Sequence, residues 1–232
     1  MRLLVSVRDV RDAQAAVLGG AEIVDAKDPR RGALGPVTPR ALARIRAVVP
    51  PGIPVSAALG DAAAEWAVPR GVGVGVAYVK VGLRDVIDAE HARALAQRAA
   101  TRAAEAGAEL VLVAYADALR AGSLPPLAVP DVAAAVGARG VLLDTAFKDR
   151  GGLFDILDVA RVAQWLAAAR ATGAGLFTAL AGSLGEPGLR TALALGADIV
   201  GVRGAACDGG RMGRVSVARV VALSALVAAA VA

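Results

Sequence analysis

The chain has 232 residues, a length common for a single α/β barrel, and its one cysteine, Cys207, excludes a disulfide framework. Hydrophobic residues make up 56% of it and aromatics only 3%, so Ala, Val and Leu must build a core of small side chains. The net charge of +5 comes from arginines scattered along helical patterns such as RALARIR. These read as solvated helix faces, so no nucleic-acid partner is expected.

Short apolar runs alternate with longer stretches of helical period. The runs lie at 2–7, 22–27, 53–59, 78–83, 109–116, 140–146, 175–182 and 198–204. They are β-branched and nearly continuously apolar, as strands covered on both faces should be. Helical patterns follow at 11–20, 38–52, 88–107, 131–137, 157–173, 186–196 and 216–232. The second has Thr38 as its N-cap, Pro39 at the first helical position and a Pro-Pro-Gly stop. Between the third and fourth strands, Pro69 and several glycines permit only a short helix. The apolar C-terminus, VVALSALVAAAVA, is 13 residues long, short of the ~20 that span a bilayer. It is expected to form a buried final helix and an oligomer contact. No signal peptide is apparent, and a cytoplasmic protein without membrane association is the expectation.

A phrase recurs before the strands: GGAEIVD, GVAYVKV, GAELVLV, GARGVLL, GAGLFTA, GADIVGV. Each places glycine ahead of an apolar run, as a helix C-cap and tight αβ turn require. One βα unit repeated eight times without a linker predicts a single-domain (β/α)8 TIM barrel over residues 1–232. An open doubly wound sheet would carry a Gly-rich phosphate loop after its first strand, and VSVRDVRDA has none.

Of the 26 basic residues only three are lysine: Lys27, Lys80 and Lys148. All three fall near C-terminal strand ends, where barrel chemistry resides. Asp25 shares a strand face with Lys27, and Asp144 lies in an apolar strand, where an unpaired charge would be costly. Arginine stays protonated, whereas buried lysine can shed its proton and attack a carbonyl or remove a carbon-bound proton. These five residues are therefore the candidate catalytic group. The loops after strands seven and eight, LAGSLGEPG and GVRGAACDGGRMGR, suggest a phosphate site at Gly182, Ser183, Arg203 and Gly204. His91, alone in a helix, reads as solvated or packed, and Trp66 and Trp165 read as packing residues. Cys207 has no histidine partner, and no cluster has metal-ligand spacing.

The segments LLVSVRD, GGAEIVDAKDPRRGALG, PVSAALGD, YVKVGL, AYADALRAGSLPPL, LLDTAFKD, ALAGSL and DIVGVRGAACDGG resemble the (5-formylfuran-3-yl)methyl phosphate synthases of methanofuran biosynthesis. The resemblance runs from the first strand to the last loop. It implies condensation of two glyceraldehyde 3-phosphate molecules to a furan aldehyde, with loss of phosphate and water and no metal or organic cofactor. By motif match, Lys27 would form the Schiff base and Lys80 would accept the proton, with Asp25, Asp144 and Lys148 in support. The sequence does not locate a second phosphate site; Arg30, Arg31 and Arg84 are its candidates. A class I aldolase would use the same lysine, and a phosphate-binding barrel without turnover is the rival from another class.

Overall fold

Eight parallel strands close into a barrel in the computed structural model, which describes residues 1–61 and 75–229. The strands are β1 (Arg2–Val7), β2 (Ile23–Ala26), β3 (Val55–Asp61), β4 (Tyr78–Gly82), β5 (Glu109–Tyr115), β6 (Gly140–Asp144), β7 (Phe177–Leu180) and β8 (Ile199–Val202). Each pairs with the next, and β8 returns to β1 through Arg2↔Ile199 and Val5↔Val202. The expected strands are all present. β3 starts later than its apolar run because Pro54, just before it, has no N–H for the ladder.

The helices are α1 (Val10–Leu18), α2 (Pro39–Val48), α3 (Ala89–Glu105), α4 (Ala118–Ala121), α5 (Val129–Ala135), α6 (Leu153–Ile156), α7 (Val159–Ala171), α8 (Glu186–Ala194) and α9 (Val217–Ala229). Asp9, Thr38, Asp88 and Asp158 cap α1, α2, α3 and α7 by accepting from backbone amides. The recurrent glycine has one cause. Gly20, Gly75, Gly107, Gly137, Gly173 and Gly196 all have φ between 65° and 90°, the left-handed turn that delivers the chain into the following strand. The short helix expected between β3 and β4, with Trp66, lies outside the described residues.

Period-2 alternation divides the core into two layers. Leu3, Val5, Val24, Val79, Val81, Leu112, Val141 and Val200 point outward against the helices. Leu4, Ile23, Ala58, Val111, Val113, Leu142, Ala179 and Ile199 fill the barrel interior. Each fully buried Val or Leu contributes about 1.5–3 kcal/mol. Trp165 is buried and donates its indole N–H to the Pro126 carbonyl, a packing role as expected.

The final helix departs from expectation. Only the stripe Val220, Leu223 and Val227 of α9 is buried, while Val217 and Val221 face outward. A helix on the outside of a barrel has one face to bury, and α9 uses it against α1, β1 and α8. No helix among the described residues is long and apolar enough to cross a membrane.

Candidate active site

At the C-terminal end of the barrel the inward positions turn polar. Ser6, Asp25 and Ser56 are register partners on β1, β2 and β3, so their side chains stand in one row. Both hydroxyls donate to the Asp25 carboxylate, Ser6 at 2.9 Å and Ser56 at 2.6 Å. Lys80, inward-facing on β4, completes the group with its Nζ 2.7 Å from Asp25 Oδ2. Asp25 is fully buried, which by itself raises its pKa. The Lys80 and Lys27 charges and the hydrogen bonds outweigh burial and hold the carboxyl below its ordinary value.

A second pair stands across the mouth. Asp144 ends β6, and the chain turns so that Lys148 Nζ lies 2.7 Å from Asp144 Oδ1. The same ammonium donates to the Thr145 carbonyl at 2.7 Å and hydroxyl at 2.8 Å, and the Thr145 amide donates to Asp144. Burial again opposes ionisation, but the Lys148 and Lys27 charges prevail and the Asp144 pKa falls to about 2.

Lys27 lies between these pairs. It follows β2 directly, and its amide continues the ladder by donating to Val7 O at 2.8 Å. The residue is only 8% exposed and lines the same cavity as Lys80, Asp144 and Lys148, a space of about 330 Å³. Both nearby carboxylates already hold an ammonium at 2.7 Å, and among the described residues none lies within ion-pair distance of Lys27. Burial lowers its pKa most. Asp144 and Asp25 raise it, Lys80 and Lys148 lower it, and the result is about 8.

The cavity continues under the loops after β7 and β8, where Gly182, Ser183, Arg203, Gly204 and Arg211 line it. Gly182 (φ 102°) and Ser183 (φ 51°) are both left-handed; a non-glycine residue there is uncommon and such strain gathers at functional sites. Among the described residues, the amides of Gly182, Ser183 and Gly204 donate to no backbone carbonyl. The loop after β8 folds into a small antiparallel hairpin, β9 (Cys207–Asp208) with β10 (Arg214–Val215).

Arg203 is tied up within the protein. Its guanidinium is engaged by Asp12 Oδ2 at 3.3 Å and by the carbonyls of Ser6, Arg211 and Gly213 at 2.8, 2.9 and 3.2 Å. It borders the cavity but fastens the last loop to the first strand. Asp12 lies on α1, far away in sequence, so spacing gives no hint of this pairing. Sequence reasoning missed Arg211, and with it Ser6 and Ser56. A serine within LLVSV or PVSAAL is a polar intrusion in an apolar strand and could have been noticed. Arg211, inside DGGRMGR, carried no comparable mark.

Other candidates lie elsewhere. Arg30 is held by Asp28, Arg31 donates to Pro36 O, and Arg84 stacks on Phe147 beside Asp61. None of the three is among the residues lining the cavity. Cys207 is buried, and burial raises its thiol pKa despite the Arg203 charge, so it is unsuited to nucleophilic work. His91 is exposed on α3. Among the described residues, no three His, Cys, Asp or Glu side chains could hold a metal ion.

A closed parallel barrel with buried amines and carboxylates at its C-terminal mouth defines a TIM-barrel enzyme. Similar barrels include phosphoribosyl anthranilate isomerase from Thermus thermophilus (TM-score 0.64, 17% identity, 99% of each chain). Another is 3-hexulose-6-phosphate synthase from Salmonella typhimurium (TM-score 0.62, 17% identity, 98% and 100% of the two chains). At that identity the likeness is one of fold. Residues 3–224 match the 4-HFC-P synthase family, and the chain belongs to it. Its relatives include proteins named (5-formylfuran-3-yl)methyl phosphate synthase. That of Methanopyrus kandleri is 42% identical over 92% of each chain. That of Methanothermobacter thermautotrophicus is 39% identical over 90% of this chain and 91% of its own.

Proposed function

We propose that this chain condenses two molecules of glyceraldehyde 3-phosphate into (5-formylfuran-3-yl)methyl phosphate through a Schiff base on Lys27. The observation that carries the reading is the pairing of charges. Asp25 holds Lys80, Asp144 holds Lys148, and the third amine, buried with a pKa of about 8, has no carboxylate of its own among the described residues. At pH 7 about a tenth of such an amine is free base, against a few parts in ten thousand for an ordinary lysine. The names of relatives support the product, and the placement of the five residues supports the chemistry.

The Lys27 amine attacks the aldehyde carbon of one triose, giving a carbinolamine. Loss of its hydroxyl as water needs a proton donor. Lys80, charged beside Asp25, supplies that proton and is left as a neutral amine. The iminium on Lys27 acidifies the adjacent carbon, and Lys80 then takes the proton from it. Acid first and base second reconciles a proton-accepting role for Lys80 with the ion pair it makes at rest. The resulting enamine forms the carbon–carbon bond to the second triose, and Lys148 with Asp144 exchanges protons in the eliminations that follow. Balance from two trioses to the furan requires loss of one phosphate and two waters. The backbone around Gly182, Ser183 and Gly204 receives a phosphate, as loops after the seventh and eighth strands of barrels often do. No step calls for a metal or organic cofactor.

The test is incubation with glyceraldehyde 3-phosphate, following ultraviolet absorbance of a furan and release of inorganic phosphate. Borohydride trapping in parallel, with mapping of the labelled peptide, should place the label on Lys27. A ketose phosphate without furan would instead indicate an aldolase. Label on Lys80 or Lys148 would overturn this division of roles among the lysines.

A further inference from the structure

Among the described residues five cations, Lys27, Lys80, Lys148, Arg203 and Arg211, line the cavity, and three have carboxylate partners. Lys80 pairs with Asp25, Lys148 with Asp144 and Arg203 with Asp12. Lys27 and Arg211 are left. Lys27 can relieve its isolation by losing a proton, but a guanidinium cannot. Arg211 is partly buried, and among the described residues no carboxylate lies within ion-pair distance of it. Its side chain donates instead to neutral carbonyls, Nη1 to Pro29 O at 3.0 Å and Nη2 to Gly32 O at 2.8 Å. Two carbonyls of the loop after β2 thus fix the orientation of the fork. One proton on each Nη and the Nε–H remain for another acceptor.

We propose that Arg211 is the guanidinium that binds the substrate phosphate, supplying the counter-charge to the backbone amides of Gly182, Ser183 and Gly204. The site is built before the ligand arrives, because the two carbonyls hold Arg211 in place and a phosphate then meets a fixed fork rather than a mobile side chain. Burial disfavours the charge on Arg211, the Asp144 carboxylate favours it and the Arg203 charge disfavours it, with a net lowering of its pKa. An arriving anion relieves that strain. The assignment rests on the reading of the substrates as phosphorylated trioses, yet it can be tested without turnover.

The probe is inorganic phosphate, titrated into the full chain by calorimetry, with Arg211→Gln as the variant. Phosphate affinity should fall about 10- to 100-fold, the range for losing a charge-assisted hydrogen bond. KM for glyceraldehyde 3-phosphate should rise similarly, while borohydride trapping of Lys27 with unphosphorylated glyceraldehyde stays within about twofold of the parent. Unchanged phosphate affinity in the variant, or no binding by the parent, overturns the proposal. Trapping that falls in step with affinity also overturns it, since Arg211 would then be serving the β2 loop alone. If the variant fails to fold, phenylglyoxal modification of the parent decides: phosphate should protect Arg211, and absence of protection sinks the idea. A parent that binds phosphate but forms no furan would refute the proposed reaction and leave this site standing.

Discussion

Lys27 is destabilising where it stands, and its titration sets the size of the effect. An unfolded chain holds this amine at the ordinary value of 10.5, and the folded barrel holds it near 8. Below about pH 8 the amine is protonated in both states and the full penalty applies. Between 8 and 10.5 only the unfolded chain keeps the proton, so stability rises with pH and the penalty disappears. The difference corresponds to about 3 kcal/mol. Lys27→Met should therefore be more stable than the parent at pH 7, by about 1–3 kcal/mol in urea unfolding, with the gain vanishing above about pH 10. Imine formation in the parent should rise with pH through the same midpoint near 8. A second prediction concerns the serines. Alanine at both Ser6 and Ser56 leaves the buried Asp25 carboxylate with Lys80 as its remaining close partner. A loss of about 1–3 kcal/mol of stability is expected for each hydroxyl removed. Because Lys80 would then be held by a less constrained carboxylate, the pH profile of turnover should move while borohydride still labels Lys27. A profile that does not move would reduce the serines to packing.

At the level of elements, the strands were legible because burial on both faces leaves a continuous β-branched run that little else in a soluble chain produces. The turns were legible because each needed the same left-handed glycine. Less was visible where geometry depends on distant partners. α4 and α6 have four residues each, too few to show a helical period. The face that α9 buries could not be read from a segment so largely apolar, and the pairing of Arg203 with Asp12 has no mark in the spacing. The α1–α9 contact yields a prediction. A Cβ on Gly19 would overlap the Val220 side chain, so the end of α1 approaches α9 only because that residue is glycine. Gly19→Ala should cost about 1–3 kcal/mol through overpacking, and thermal unfolding will show it. Gly52→Ala, with open space around its Cβ and no left-handed φ, is the neutral control.

For the molecule as a whole, the last loop and the first units are joined chiefly by arginine. Arg203 reaches Ser6 and Asp12, Arg8 donates to Met212 O, Arg214 pairs with Asp9, and Arg211 crosses to Pro29 and Gly32. Arg203→Gln would leave the buried Asp12 without its closest counter-ion. It should destabilise the barrel by about 3–5 kcal/mol, a larger effect than removing an exposed pair such as Arg190–Glu186. Paired denaturation curves of the two variants will separate them; equal losses would mean that the closure does not depend on this residue.

Those arginine crossings have a consequence for when the protein becomes competent. The strand that leads into Lys27 is among the earliest made, and the loop that carries Arg211 is nearly the last. Until the two ends of the chain have met, an exposed amine can exist with nothing beside it to choose its partner. On the proposed reading, selectivity would be acquired in the same event that completes the ring of strands.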